Sequence, residues 1–181
     1  IFHGRWNEYI HEVQTSPLSY VEMVFAYVSA SALRGIVIAV LVAAVGAVFT
    51  NLDPGVPPVS LAHPVYVVAF TIVITILFAG FGVMGGLWAR EFDYLTVMKQ
   101  FIIRPLVFFG AVFYPLSALP DFWQAVSLLN PMVYMVDGVR YGFLGVADID
   151  PNVSLAVLAG AAVAVIAIDI KLFERGYGLT E

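Results

Sequence analysis

The most informative stretch of this chain is Pro105–Leu144, PLVFFGAVFYPLSALPDFWQAVSLLNPMVYMVDGVRYGFL. It is apolar enough to enter a membrane, but it is divided into short pieces by Pro105, Pro115, Pro120 and Pro131. A simple spanning helix needs about 20 unbroken apolar residues, and a proline inside a helix removes a backbone hydrogen bond and clashes with the preceding turn. Broken backbone at membrane depth is tolerated only where protein or a water-filled cavity covers it. The stretch is therefore typical of transport proteins rather than of simple membrane anchors.

The composition of the whole chain indicates lipid as its solvent. Hydrophobic residues make up 61% of the 181 residues and charged residues only 12%, whereas a soluble domain carries about 25% charged residues. The formal net charge of -5 comes without a basic cluster, which argues against nucleic acid as a partner. The chain has no cysteine, and His3, His11 and His63 lack the spacing of metal ligands. We therefore predict an all-α membrane protein without a metal site.

The apolar runs predict four membrane-spanning helices, at residues 24–50, 65–89, 95–114 and 153–170. The second of them holds 25 residues without a charge, about 37 Å of helix, which crosses the hydrocarbon core of about 30 Å with some tilt. The third contains Lys99 and Arg104 in its first half, and we expect both head groups to snorkel outward. Residues 115–146, the outer segment, are predicted to form two re-entrant half-helices, 121–129 and 132–144.

Residues 1–23 carry charge and are predicted to form a cytoplasmic segment. A helix is interrupted at Ser16, because the residue before Pro17 avoids the helical region. Ser19 followed by Glu22 has the spacing of a capping box, which predicts a new helix from about Tyr20.

The distribution of positive charge predicts the orientation. If the first residues are cytoplasmic, all of the 8 Lys and Arg residues except Arg140 lie on or near that side. Cytoplasmic loops carry an excess of Lys and Arg. Both visible ends are therefore predicted to be cytoplasmic, with the outer segment on the opposite side.

Two local motifs are better explained by structure than by chemistry. Gly80–Gly85 matches the G-x-G-x-x-G pattern of dinucleotide sites, but it lies inside an uncharged span rather than between a strand and a helix. Small residues at this spacing favour close helix packing. The formal glycosylation sequon Asn152-Val-Ser154 abuts the membrane, so a polar cap on the last span is favoured. No nucleophile elbow, intramembrane acid pair or H-E-x-x-H motif is present, which makes an intramembrane enzyme the weakest class.

Three sets of residues admit both a structural and a functional role. Arg34 lies about ten residues into the first span, where it either snorkels to the head groups or faces a pathway or a partner. Asp137 and Arg140 are three apart on a helix, and we favour a structural pair over substrate contact. An interfacial belt or a hydrophobic gate would use the aromatic residues of this region, namely Phe108, Phe109, Phe113, Tyr114, Phe122, Trp123, Tyr134, Tyr141 and Phe143.

The same residues resemble the signature region of ABC-2 type transport permeases. In that family a span ends in a G-x-F-Y-P-x-x-x-L-P stretch, followed by N-P and a helix with a late arginine. The matching positions in this chain are Gly110, Phe113, Tyr114, Pro115, Leu119, Pro120, Asn130, Pro131 and Arg140. Thr15–Met23 resembles the family's cytoplasmic coupling helix, and Ala89–Asp93 resembles the link before its fifth span.

The resemblance covers essentially the whole chain and is closest to bacterial exporters of drugs, polysaccharides and nodulation factors. Family members have six spans, so we expect the chain to begin after, or late in, the second one. The resemblance implies a permease subunit of an ATP-binding cassette exporter in the bacterial inner membrane, which moves a lipid, glycan or drug-like substrate outward. It also implies a homodimer with two separate ATPase subunits. These would hold the ATP and Mg, and this chain would hold no cofactor and hydrolyse no ATP.

The resemblance assigns roles to two groups of residues. Coupling to the ATPase subunits is expected at Ser16, Pro17, Leu18, Ser19 and Glu22. An outer gate is expected at Phe113, Tyr114, Pro115, Leu119, Pro120, Asn130, Pro131, Asp137 and Arg140. The alternative function is a non-transporting membrane scaffold, whose half-helices only pack against partners.

Overall fold

The computed structural model describes residues 17–52, 55 and 60–178, and these residues form helices and loops without a strand. Three of the helices are long and apolar enough to cross a membrane, which confirms the prediction of an all-α membrane protein. The elements in chain order are α1 (Tyr20–Leu52), α2 (Pro64–Trp88), α3 (Phe92–Val97), a π-helical segment (Met98–Ile103), α4 (Arg104–Phe108), a 3-10 turn (Leu116–Ala118), α5 (Asp121–Ser127), α6 (Pro131–Leu144) and α7 (Pro151–Glu174).

The first helix begins where the capping box predicts. The backbone N–H of Ser19 donates to Glu22 Oε2 over 2.8 Å, and the backbone N–H of Glu22 donates to Ser19 Oγ over 3.3 Å. Two N–H groups that lack partners inside the helix are thereby satisfied. With 33 residues, α1 is about 50 Å long and exceeds the hydrocarbon core of about 30 Å.

The helices α1, α2 and α7 pack into a bundle around one apolar cluster. Its buried residues are Met23, Val24, Val28, Ala32, Ala79, Val83, Leu87 and Phe173. At Gly80 a methyl group would lie 2.6 Å from Val165 Cγ1 of α7, so only glycine lets the two helices approach this closely. The Gly80–Gly85 pattern therefore serves helix packing at its first position.

Helix α6 lies antiparallel along the first half of α2. Gly142 faces Val67 and Gly138 faces the ring of Phe70, so α6 begins deep beside α2 and ends near the first turn of α2. With 14 residues, α6 is about 21 Å long, too short to cross a core of about 30 Å. The helices α5 and α6 coincide closely with the two predicted half-helices, whose position in the outer leaflet stays a prediction.

The helix of the third predicted span, 95–114, ends before its predicted C-terminal residue. Helical residues run from Phe92 to Phe108 and stop six residues before Tyr114, and this helix is not among the three long enough to cross a membrane. The Leu106 carbonyl accepts a hydrogen bond from Asn130 Nδ2 (2.8 Å) instead of continuing the helical ladder. Ala111 then adopts a left-handed conformation with φ 57°. The side chain of Asn130, 24 residues away in sequence, thus bonds to a carbonyl near the end of this helix.

The π-helical segment precedes a proline. The Arg104 N–H donates to the Lys99 carbonyl, five residues back, and Pro105 follows directly. In an α-helix the proline ring would clash with the carbonyl four residues before it. A local π adjustment lets a membrane helix accept proline, which explains why this helix widens at this point.

Candidate functional site

The candidate site is a polar network that holds the outer segment. Its centre is Asp137 on α6, whose side chain is only 3% exposed. Asp137 Oδ1 accepts the backbone N–H of Asp148 (3.0 Å), and Oδ2 accepts that of Ile149 (2.9 Å). Burying a carboxylate is costly unless it is paired and hydrogen-bonded. Asp137 meets this condition by fixing the loop that leads from α6 into α7.

Arg140 connects this loop to the chain that follows α4. Its Nη1 lies 3.5 Å from Asp137 Oδ1 and 3.7 Å from Asp148 Oδ2, while Nη2 donates to the Ala111 carbonyl over 2.8 Å. The structure thus pairs Asp137 with Arg140, as their spacing predicts. It adds two partners that the spacing does not indicate. The contact at Ala111 holds a residue whose left-handed backbone costs about 1 kcal/mol or more.

Asp148 completes the network. Its side chain is 20% exposed, and its Oδ2 accepts the backbone N–H of Leu116 over 2.7 Å. Leu116 is the first residue of the 3-10 turn and packs with Ala111 and Val133 in a small apolar cluster. The network therefore fastens both ends of the stretch 111–116 onto α6 and its following loop.

Asn130 has a role that the N-P motif does not reveal. It is 8% exposed, and its Oδ1 accepts the N–H of Met132 over 3.0 Å, which caps α6. Its Nδ2 donates to the Leu106 carbonyl over 2.8 Å. Pro131 follows as the first helical residue, where a missing N–H costs nothing. The side-chain amide of Asn130 therefore caps the start of α6 and also bonds to a carbonyl near the end of α4.

The remaining predicted gate residues occupy different environments. Tyr114 and Leu119 pack against the small apolar cluster around Leu116. Phe113 is 74% exposed, and its ring centroid lies 5.7 Å from that of Phe108. Pro115 precedes the 3-10 turn, and the Pro120 carbonyl accepts the first N–H bonds of α5. The structure thus brings Asp137 and Arg140 together but leaves the aromatic Phe113 at the surface.

The predicted coupling residues lie at the opposite end of the bundle. Pro17, Leu18, Ser19 and Glu22 form the exposed start of α1, and Ser16 lies outside the described residues. The first turns of α1 are close to the end of α7, because the rings of Tyr27 and Phe173 are 6.3 Å apart. The network around Asp137 adjoins the start of α7 instead. The length of α7 therefore separates the two groups of predicted residues.

Two charged residues inside the long helices have no ion pair within the described part of the chain. Arg34 is exposed on α1 beside Leu33, which is 64% exposed, and both interpretations of Arg34 stay predictions. Asp169 on α7 is 0% exposed, and neither carboxylate oxygen has a hydrogen-bond partner among the described residues. It packs against Gly80 of α2. The sequence places Asp169 only at the end of a span, and no local pattern reveals its burial, because that burial results from the packing of α7 against Gly80 of α2.

Comparison with known proteins agrees with this architecture. Residues 5–144 match the family model described as ABC-2 type transporter. The inner membrane transport permease YadH of Escherichia coli K12 is 35% identical over 179 residues, which are 98% of this chain and 67% of that protein. Nodulation protein J of Bradyrhizobium diazoefficiens is 26% identical over 155 residues, or 85% of this chain and 54% of that protein. Nodulation protein J of Rhizobium meliloti is 25% identical over 171 residues, or 94% and 61%. No solved structure matches the chain. The resemblance seen in the sequence is confirmed, and the chain belongs to the ABC-2 type transporter family of membrane permeases.

Proposed function

We propose that the chain is the permease of an ATP-driven exporter in the bacterial inner membrane, moving a lipid, glycan or drug-like substrate outward. It acts as a homodimer with two separate ATPase subunits, which hold ATP and Mg. Permeases of this family generally work with ABC ATPase subunits, and one relative is named an inner membrane transport permease. The excess of Lys and Arg on one side supports an orientation with both visible ends in the cytoplasm.

The observation that carries the proposal is the capped, exposed start of α1. The capping box fixes this turn, and it leaves apolar side chains uncovered, with Leu18 47%, Tyr20 49% and Val21 43% exposed. Exposed apolar residues rimmed by polar groups mark interaction sites. A capped helix end of this kind transmits a push along its axis without fraying. We infer that the ATPase subunit docks here and uses Glu22 as a polar contact.

The packing supplies a route from this end to the outer segment. α1 packs on α2, and α2 packs on α6, which carries both Asp137 and Arg140. A tilt of α1 would therefore shift α6 relative to the stretch 111–116. Arg140 and Asp148 each hold that stretch through one hydrogen bond to its backbone. A small shift of α6 would therefore break these bonds and let both side chains take other partners. Interfaces of this kind switch between discrete arrangements, and such a switch would serve as an outer gate.

The test uses full-length protein purified from its host membrane together with any P-loop ATPase that copurifies. Glu22→Ala removes both the charge and the capping partner, whereas Glu22→Gln removes the charge and keeps a residue that the capping box accepts. We expect Glu22→Ala to reduce both the amount of copurified ATPase and substrate-stimulated ATP hydrolysis by about tenfold. The part of this loss that Glu22→Gln reproduces is due to the charge, and the rest is due to the lost cap.

Ser29→Ala is the matched control, because this exposed serine of the same helix bonds only to the Ala26 carbonyl within the helix. Its ATPase activity and export should equal those of the wild type. If no ATPase copurifies, or if Glu22→Ala leaves hydrolysis and export unchanged, the proposed coupling is wrong. Loss of assembly without any loss of transport would instead support the scaffold function.

A further inference from the structure

The π-helical segment creates a feature that an ordinary helix would lack. In an α-helix two residues five apart point about 140° away from each other. In a π turn they come into register, because the hydrogen bond joins residue i to residue i+5. The Arg104 N–H makes this bond to the Lys99 carbonyl. Lys99 and Arg104 are therefore stacked one turn apart on the same side of the helix.

Both cations are exposed on the surface of the helix. Within the described part of the chain neither side chain forms an ion pair or a hydrogen bond, and both residues are surface-exposed. Charged residues inside membrane helices are costly and mark binding sites or pathways. At 1.5 Å per residue, Lys99 lies about 10 Å and Arg104 about 18 Å from the start of the helix at Phe92, and both long side chains can snorkel toward the link Ala89–Asp93. The pair is placed to meet an anion there.

An apolar cavity adjoins the same turn. It measures about 380 Å³ between α2, the π-helical segment and the start of α6, and Met98 and Ile102 line it from the π-helical segment. Four of the chain's 5 methionines face it, namely Met84, Met98, Met132 and Met135. The cavity opens to the surface, since Ile102 is 53% exposed. Methionine adapts its shape to variable apolar guests.

We propose that the cavity and the cation pair together bind one anionic phospholipid of the surrounding bilayer, with an acyl chain in the cavity and the phosphate on Lys99 and Arg104. Met98, which lines the cavity, immediately precedes Lys99. The side of the π turn that lines the cavity is therefore next to the side that carries the two cations. Basic pockets between membrane helices on the cytoplasmic side bind anionic head groups. A soluble anion would leave the cavity empty, and a neutral lipid would leave both cations unpaired. This inference rests on the proposed orientation, but it does not depend on export or on an ATPase partner.

Trp88 provides the readout, because it lines the cavity. The other tryptophans of the full-length protein, Trp6 and Trp123 among them, are replaced by phenylalanine, and the protein is placed in bilayers. Phosphatidylglycerol or phosphatidylcholine with brominated acyl chains is then added, and bromine near Trp88 quenches its fluorescence. We expect half-maximal quenching at an about tenfold lower mole fraction of phosphatidylglycerol, since each cation contributes attraction to an anionic lipid.

The double variant Lys99→Gln/Arg104→Gln should lose this preference. Its matched control is Lys171→Gln/Arg175→Gln, which removes the same charge from two exposed positions at the end of α7 and should keep the preference. The proposal is overturned if wild-type protein is quenched equally by both lipids, or if the control variant loses the preference too. It is also overturned if soluble glycerol phosphate displaces the brominated lipid at equal concentration, because the acyl chain then contributes nothing. The wild-type comparisons remain decisive even if the double variant does not fold.

Discussion

The bundle of α1, α2 and α7 and the outer segment are held together in opposite ways. The bundle relies on apolar side chains and on small residues such as Gly80, with a continuous helical backbone. The outer segment contains broken backbone, and side chains supply hydrogen bonds that the backbone lacks, among them those of Asn130, Asp137, Arg140 and Asp148. Lipid provides little hydrophobic force between helices, so close packing of side chains determines the stability of the bundle. Where the helix is broken, stability depends on hydrogen bonds to the backbone groups that the break leaves free.

This difference predicts different responses to mutation. A packed bundle tolerates changes that conserve volume, because no single contact dominates its stability. A network with one buried carboxylate at its centre fails when that carboxylate is removed, since several donors lose their acceptor together. One chain therefore contains a region stabilised by packing and a region stabilised by polar contacts, and mutations can test the two separately.

The largest effect is expected for Asp137→Ala. The backbone N–H groups of Asp148 and Ile149 lose their acceptor, and Arg140 loses its closest carboxylate. Breaking a buried charge network by removing one partner costs about 3–5 kcal/mol. Thermal unfolding of the detergent-solubilised protein should show this loss. The control Asp121→Ala removes an exposed carboxylate in the first turn of α5 and should cost less than about 1 kcal/mol; equal losses would refute a special role for the network.

An intermediate effect is expected in the bundle, where Gly80→Ala and Gly82→Ala form a matched pair. A methyl group at Gly80 would lie 2.6 Å from Val165 Cγ1, whereas at Gly82 nothing lies within 4 Å. Overpacking costs about 1–3 kcal/mol, so Gly80→Ala should lower the unfolding temperature. Gly82→Ala should leave it equal or slightly higher, because alanine favours the helix. A similar result for both variants would show that α2 and α7 do not approach each other as described.

The sequence predicts those parts of the fold that local patterns determine. The capping box at Ser19 and Glu22 marks the start of α1, and apolar runs locate α2 and α7 to within a few residues at most ends. The sequence does not predict where the helical residues 92–108 end, because the Leu106 carbonyl near that end bonds to Asn130, a residue 24 positions away. Long-range side-chain contacts leave no periodic signal in the chain.

The same distinction holds for the candidate site. Asp137 and Arg140 are predictable as a pair, because three residues along a helix bring them to one face. Asp148 and the carbonyl of Ala111 belong to loops, whose positions follow from tertiary packing rather than from spacing. Family resemblance marks Arg140 and Asn130 as signature positions but does not state which atoms they contact. The structure supplies those contacts.

The smallest effect is expected at Asn130, which connects the start of α6 to the broken backbone after α4. Asn130→Ala removes both the cap on Met132 and the bond to the Leu106 carbonyl, at a cost of about 1–2 kcal/mol. Asn130→Asp keeps an acceptor for the Met132 N–H but replaces the donor to Leu106 with a negative oxygen. If capping dominates, the aspartate variant should unfold at a higher temperature than the alanine variant. If the connection between α4 and α6 dominates, aspartate should be the less stable of the two, because its charge faces a carbonyl. We expect the second result, since the backbone break after α4 depends on this one donor. Thermal unfolding of the two variants side by side decides between them.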